Sequence, residues 1–243
     1  MTDFSKYQNC WSDRDVEAHW DRVAGRYVEE NDKVKQTHDQ RFSFSLPYLD
    51  LYCGARVLNI TSRDGEAAAY ISAKEPSVEV TNAEISQKLM DVALKLNPSI
   101  RQVKISTYSH LPFSDEQFDR ILTLETLEHA ANPMEFLSEL HRISIPDARM
   151  VLSCPPATSE IPYRFYTAVF GGHGEGPHRF PPSKQVKEWL KLSGWKLTFH
   201  KGTVLMPVGP GWFKSLGEKL IDKTQGTFIS ELGIRQFYVC EKY

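Results

Sequence analysis

Apolar positions recur at helical spacing over the first part of the chain, and the pattern then changes to short apolar runs separated by amphipathic ones. Between residues 13 and 37, Val16, Trp20, Val23, Ala24 and Tyr27 stand out of a polar stretch one helical turn apart, which predicts an amphipathic helix laid on a larger body. A second helix is expected over "DQRFSFSLPYLDLY", with Gly54 as its terminator. From Ala55 onward, "RVLNI", "SVEVTNA", "RQVKIS", "FDRILTLE" and "RMVLSCPP" read as strands. "DGEAAAYISAK", "SQKLMDVALKLN" and "PMEFLSELHRIS" read as the helices between them, the last with Pro133 at its start. Residues 157–182 break the rhythm with Gly171, Gly172, Gly174 and Gly176 among several aromatics, which predicts a loop or lid. A helix over "SKQVKEWLKLSG", capped by Ser183 and ended by Gly194, leads to a strand "WKLTFHKG". The helix-like "WFKSLGEKLID" and a closing β-rich "RQFYVCEKY" complete the chain. Seven strands spaced by crossover helices imply a doubly wound, mostly parallel α/β sheet covered on both faces.

Composition narrows the class rather than the chemistry. The 243 residues carry a formal net charge of -2, so no global charge recruits nucleic acid or an anionic membrane. No basic stripe interleaved with aromatics favours a nucleic-acid partner. Cys10, Cys53, Cys154 and Cys240 form no CxxC pair and are expected as reduced, mostly buried thiols. The opening residues lack the apolar core of a secretory signal and no run reaches the roughly twenty residues of a membrane span, so a cytoplasmic location is expected. Trp212, Phe213, Leu216 and Leu220 form an apolar stripe with Lys214, Lys219 and Lys223 beside it. It is expected to be core, the alternative being a surface for a lipid-linked acceptor or a partner subunit.

The stretch from Ala55 to Ser72 runs strand, turn, helix, a geometry that offers unpaired backbone N–H groups to a ligand. Gly65 alone represents the glycines that allow close backbone approach. Glu84 ends the next strand, where a carboxylate can accept both hydroxyls of a ribose; a plain helix-start acid is the competing reading. Further on, Leu111-Pro112-Phe113, Phe118-Asp119, Leu127-Glu128-His129 and His141-Arg142 follow one another in a characteristic order. Together with "HWDRVAGRY" upstream, these stretches resemble the small-molecule branch (methyltransferase type 11-like) of the class I S-adenosylmethionine-dependent methyltransferases. The similarity runs over about residues 55–155.

That resemblance implies a Rossmann-like fold divided into an N-terminal helical cap, residues 1–54, and a methyltransferase domain, residues 55–243, with the lid inserted at 157–182. It implies S-adenosylmethionine as cofactor, with S-adenosylhomocysteine as product. The cofactor would lie against Asn59, Thr61, Arg63 and Gly65 of the turn, Glu84 at the ribose, Ile85 at the adenine, Thr107 and Tyr108 at its amine, and Leu124 and Glu125 below the methyl. The chain departs from the family at Asn59, where an acid is usual, at Thr61 and Arg63, where glycines are usual, and at Thr107, where an aspartate is usual. Arg63 could pair with the cofactor's carboxylate or fill the pocket with its own bulk.

Transfer to an oxygen or nitrogen of a small molecule, such as a sugar or natural-product intermediate, calls for positioning and a nearby base. His178 is the first candidate for that base and His129 the second, while Tyr27, His38, His173 and Arg179 are candidate acceptor contacts. His173, Glu175 and His178 lack the spacing of a ligand set, and no metal is called for. The altered turn supports a second reading behind that one, a non-catalytic relative that binds or scaffolds. A homodimer or a partner subunit is open to either.

Overall fold

A computed structural model of the protein describes residues 4–33, 35–170, 176–206 and 209–243. Its centre is a seven-stranded sheet formed by β1 (Arg56–Ile60), β2 (Glu79–Glu84), β3 (Gln102–Lys104), β4 (Phe118–Leu124), β5 (Ser144–Cys154), β6 (Trp195–Thr203) and β7 (Arg235–Lys242). The order is β3-β2-β1-β4-β5-β7-β6, and β7 runs antiparallel to both β5 and β6. β1 lies between β2 and β4 in parallel register, with Asn59 opposite Asn82 and opposite Leu122. The strand order reverses there, so the carboxyl ends of β1, β2 and β4 open a crevice where sheets of this kind receive ligands.

The central strands β1 and β4 are buried on both faces, which is why they read as nearly unbroken apolar runs. Helices α1 (Asp13–Lys33), α4 (Gln87–Leu96), α5 (Pro133–Ile143) and α7 (Ser183–Leu192) contribute to one core with Leu58, Ile60, Ile121 and Leu152. Helices α2 (Lys35–Leu49) and α3 (Glu66–Lys74) contribute to the other with Val57, Leu122 and Val151. The α1 stripe is as expected: Val16, Trp20, Val23, Ala24 and Tyr27 are all buried. Asn132 caps α5 by accepting from the Met134 and Glu135 amides, and Ser86 caps α4 through the Leu89 amide.

Local expectations fail where neighbours outweigh propensity. The segment expected as a lid loop folds partly as α6 (Glu160–Phe170), with a Glu160–Arg164 pair along its side; Pro162 sits in the first turn, where it removes no helical hydrogen bond. Ser183 does not cap α7: it is the first helical residue, and its hydroxyl bonds the Glu231 carboxylate. The stripe on α8 (Gly211–Lys223) is not core, since Trp212 is 70% exposed and Leu216 55%. Of the four thiols, Cys10 and Cys53 are exposed. Among the described residues, no helix is long and apolar enough to cross a membrane.

Candidate functional site

The turn after β1 keeps a glycine-type backbone without the glycines. Thr61 and Arg63 hold φ of 53° and 52°, the left-handed region that β-branched and long side chains avoid. Gly65 follows at φ 78°, and a Cβ there would land on the Ile100 Cδ1 methyl. The turn is pinned to β2 by the Ser62 amide on the Ala83 carbonyl (3.0 Å) and by the Arg63 amide on Glu84 Oε2 (2.8 Å).

Glu84 is completely buried at the carboxyl end of β2. Its Oε1 accepts from the Ile85 and Ser86 amides (2.9 Å each) and faces Arg63 Nη1 at 3.5 Å, while Oε2 takes the Arg63 amide. A carboxylate offers about four acceptor directions, and this one gives three to backbone amides of the chain. The Arg63 guanidinium also stacks on the Trp20 ring, its carbon 3.7 Å from the ring centroid. Trp20 in turn meets Tyr27 and His129 edge-on.

The neighbouring wall is closed in the same way. Asp13, the first residue of α1, accepts from the Thr107 hydroxyl (2.6 Å), the Tyr108 amide (2.8 Å) and the Ala131 amide (2.9 Å). What remains between Trp20, Tyr27, Arg41, Arg63, Glu125 and His129 is a polar cavity of about 80 Å3, also bordered by His38, Asn31 and Leu124. Burial pushes the Glu125 carboxyl up, but the Arg235 and Arg41 guanidiniums outweigh it and hold it down to about 2. Burial, aided by Arg63, lowers His129 to about 3. His38 Nε2 lies 2.7 Å from Arg41 Nη2 and 2.8 Å from Glu66 Oε2, so it can serve one partner at a time.

The structure therefore gathers Tyr27, His38, Arg63, Leu124, Glu125 and His129 around one cavity and lays Glu84 beneath Arg63. It places others elsewhere. Asn59 spends its side-chain amide on Asn82 across the sheet (2.8 Å), and the Thr61 hydroxyl bonds the Ile60 carbonyl and Thr126. Ile85 is core, and Gly65 borders an adjoining cleft of about 260 Å3 between α1 and α3, which shares Asn31 and His38 with the cavity. Arg179 turns away, bonding Asn9 and lying over Trp189. His173 lies outside the described residues. Sequence reasoning missed Asp13, Trp20 and Arg41. Trp20 and Asp13 look like a core aromatic and a helix-start acid, and only the docking of α1 on the loops after β1, β3 and β4 brings them to the site.

The methyltransferase domain family model matches residues 58–152. The ubiquinone/menaquinone biosynthesis C-methyltransferase of Desulfotalea psychrophila is 26% identical over 194 residues, covering 78% of each chain. A ubiquinone biosynthesis O-methyltransferase of Cereibacter sphaeroides is 26% identical over 198 residues, covering 74% of each. In fold, the chain is similar to a methyltransferase from a Haloferax volcanii complex with the Trm112 methyltransferase activator, with a TM-score of 0.69 at 14% identity over 91% of this chain and 96% of that one. Residues 58–152 thus carry a methyltransferase domain, and the chain is similar to S-adenosylmethionine-dependent methyltransferases. Its cofactor is accordingly S-adenosylmethionine.

The residues as arranged do not accommodate that cofactor. Ligand pockets usually span about 300–1,000 Å3, against about 80 Å3 here. The acid expected at the ribose already accepts three backbone amides and faces Arg63, and the Tyr108 amide expected near the adenine is taken by Asp13.

Proposed function

We propose that this methyltransferase modifies an oxygen or nitrogen of a small acceptor, an aromatic hydroxyl suiting it best, with His178 taking the acceptor's proton. The observation that carries this reading is the state of the His178 ring. Its Nδ1 lies 3.0 Å from the Gly176 carbonyl, which only accepts, so Nδ1 carries the hydrogen and Nε2 presents a lone pair. That Nε2 is buried without a hydrogen-bond partner among the described residues. Tyr163 and Phe180 flank the ring at centroid distances of 5.2 and 4.7 Å, and His129 stands 6.0 Å away, an aromatic surround suited to a flat acceptor.

His129 makes the poorer base. Its Nδ1 is likewise held by a carbonyl, that of Pro177 at 2.9 Å, but a value near 3 leaves it little affinity for a proton at neutral pH. It lines the cavity as a neutral ring, 6.0 Å from the ring of His178. Relatives named for methylating quinone precursors on carbon and on oxygen support an acceptor with ring hydroxyls, and the available lone pair favours oxygen.

The test is transfer from methyl-labelled S-adenosylmethionine to a panel of hydroquinones, catechols and aryl amines. His178→Ala should lower turnover about 10²–10⁴-fold, the usual worth of general base catalysis, with S-adenosylhomocysteine affinity changed less than about twofold. Undiminished turnover would retire His178 as the base, and carbon-methylated product would refute the oxygen or nitrogen assignment.

A further inference from the structure

We infer that Arg63, with Trp20 and Asp13, is a built-in competitor of the cofactor, so that S-adenosylmethionine binds only after Arg63 leaves Glu84 and the start of α1 lifts from Tyr108. The inference rests on S-adenosylmethionine being the cofactor of this fold. Glu84, the Thr107 hydroxyl and the Tyr108 amide, all expected to face the nucleoside, already have partners from the chain. Arg63 approaches Glu84 through both its amide (2.8 Å) and its guanidinium (3.5 Å). The guanidinium carbon lies over the Trp20 ring, 3.7 Å from its centroid, so cation and aromatic occupy the crevice together. Asp13 takes the Tyr108 amide at 2.8 Å and the Thr107 hydroxyl at 2.6 Å.

The arrangement has the build of a latch rather than of a permanently filled core. Arg63 is only 7% exposed, yet its Nη1 has no hydrogen bond among the described residues, its approach to Glu84 being an ion pair alone. A buried N–H left unbonded makes the closed state cheaper to leave than a fully satisfied one. Arg63 also sits at φ 52°, a conformation that glycine adopts freely and arginine does not. Three of the closing contacts come from α1, which is tied to the other side by Asp21, accepting from the Ser86 hydroxyl and the Lys88 amide, and by Glu17, paired with Lys104. These lie toward β2 and β3, on the edge about which the helix can tilt.

A ligand that binds only the open form has its apparent dissociation constant raised by the inverse of the open fraction. Removing the latch should therefore tighten binding without adding any contact to the cofactor. The experiment is calorimetry with S-adenosylhomocysteine on the full chain and on Arg63→Gly and Asp13→Ala. Arg63→Gly should bind at least about tenfold tighter than the unaltered protein. Asp13→Ala, which frees the Tyr108 amide without touching Arg63, should shift the same way and decides the matter if Arg63→Gly fails to fold. Equal or weaker binding by the variants, with clear binding by the unaltered protein, overturns the latch while leaving the methyltransferase reading intact. No heat from any of the three at millimolar S-adenosylhomocysteine overturns both.

Discussion

At the scale of single residues, His129 and Glu125 make the fold sensitive to acid in two separable windows. Burial and then Arg63 hold His129 to about 3, below the roughly 6.5 of a free imidazole. The folded state thus binds fewer protons than the unfolded one, and this contribution to stability is complete above about pH 6.5 and lost as pH falls toward 3. Glu125, held at about 2 by Arg235 and Arg41 against the opposing effect of burial, contributes stability above about pH 4.5 that is lost toward pH 2. Urea denaturation against pH should therefore show stability falling below pH 6.5, by at most about 1.4 kcal/mol per pH unit for one proton. His129→Gln should flatten the upper window and leave the lower one. Arg63→Gly should raise the His129 value, which the imidazole chemical shift would show. Both shifts come from residues distant in the chain: Arg63 and Arg235 reach these sites only because β1, β4 and β7 share one sheet end.

At the scale of elements, most helices and strands were legible because their signals are local. Pro133 and the apolar face of Met134, Leu137 and Leu140 mark α5 in the sequence, and Asn132 supplies the cap. Asn132→Ala should cost about 1 kcal/mol, within a range of roughly 0.5–2, measured as a shift in urea midpoint without a change in slope. Gly65 is a harsher case, needing both a positive φ and room for Ile100. Gly65→Ala should destabilise by more than about 1 kcal/mol, and Ile100→Ala in the same chain should recover part of that loss. Signals failed where an element's neighbours decided. Ser183 reads as a cap, yet Pro182 takes the cap position and the hydroxyl goes to Glu231, 48 residues away in the chain. The glycine run that suggested a loop begins only at Gly171, so α6 before it is an ordinary helix edge extended from β5.

At the scale of the whole molecule, α8 shows how little an amphipathic stripe says about what covers it. Trp212 and Leu216 have the spacing of a core face, but α8 follows β6 at the sheet's outer edge and turns them to solvent. Trp212→Ser and Leu216→Ser should each change stability by less than about 0.5 kcal/mol, where a core position would cost roughly 2–5 kcal/mol; thermal melts distinguish the two. The sequence by itself determined the sheet, its crossover helices, the likeness to methyltransferases and the acid at the end of β2, because periodicity, caps and motif order are written in near neighbours. It also carried the departures at Thr61, Arg63 and Thr107. Only the tertiary structure decided where the Arg63 side chain goes, and that Trp20 and Asp13 meet it there. Those contacts join α1 to the ends of three strands up to 118 residues away, and a separation of that kind leaves no local pattern to read.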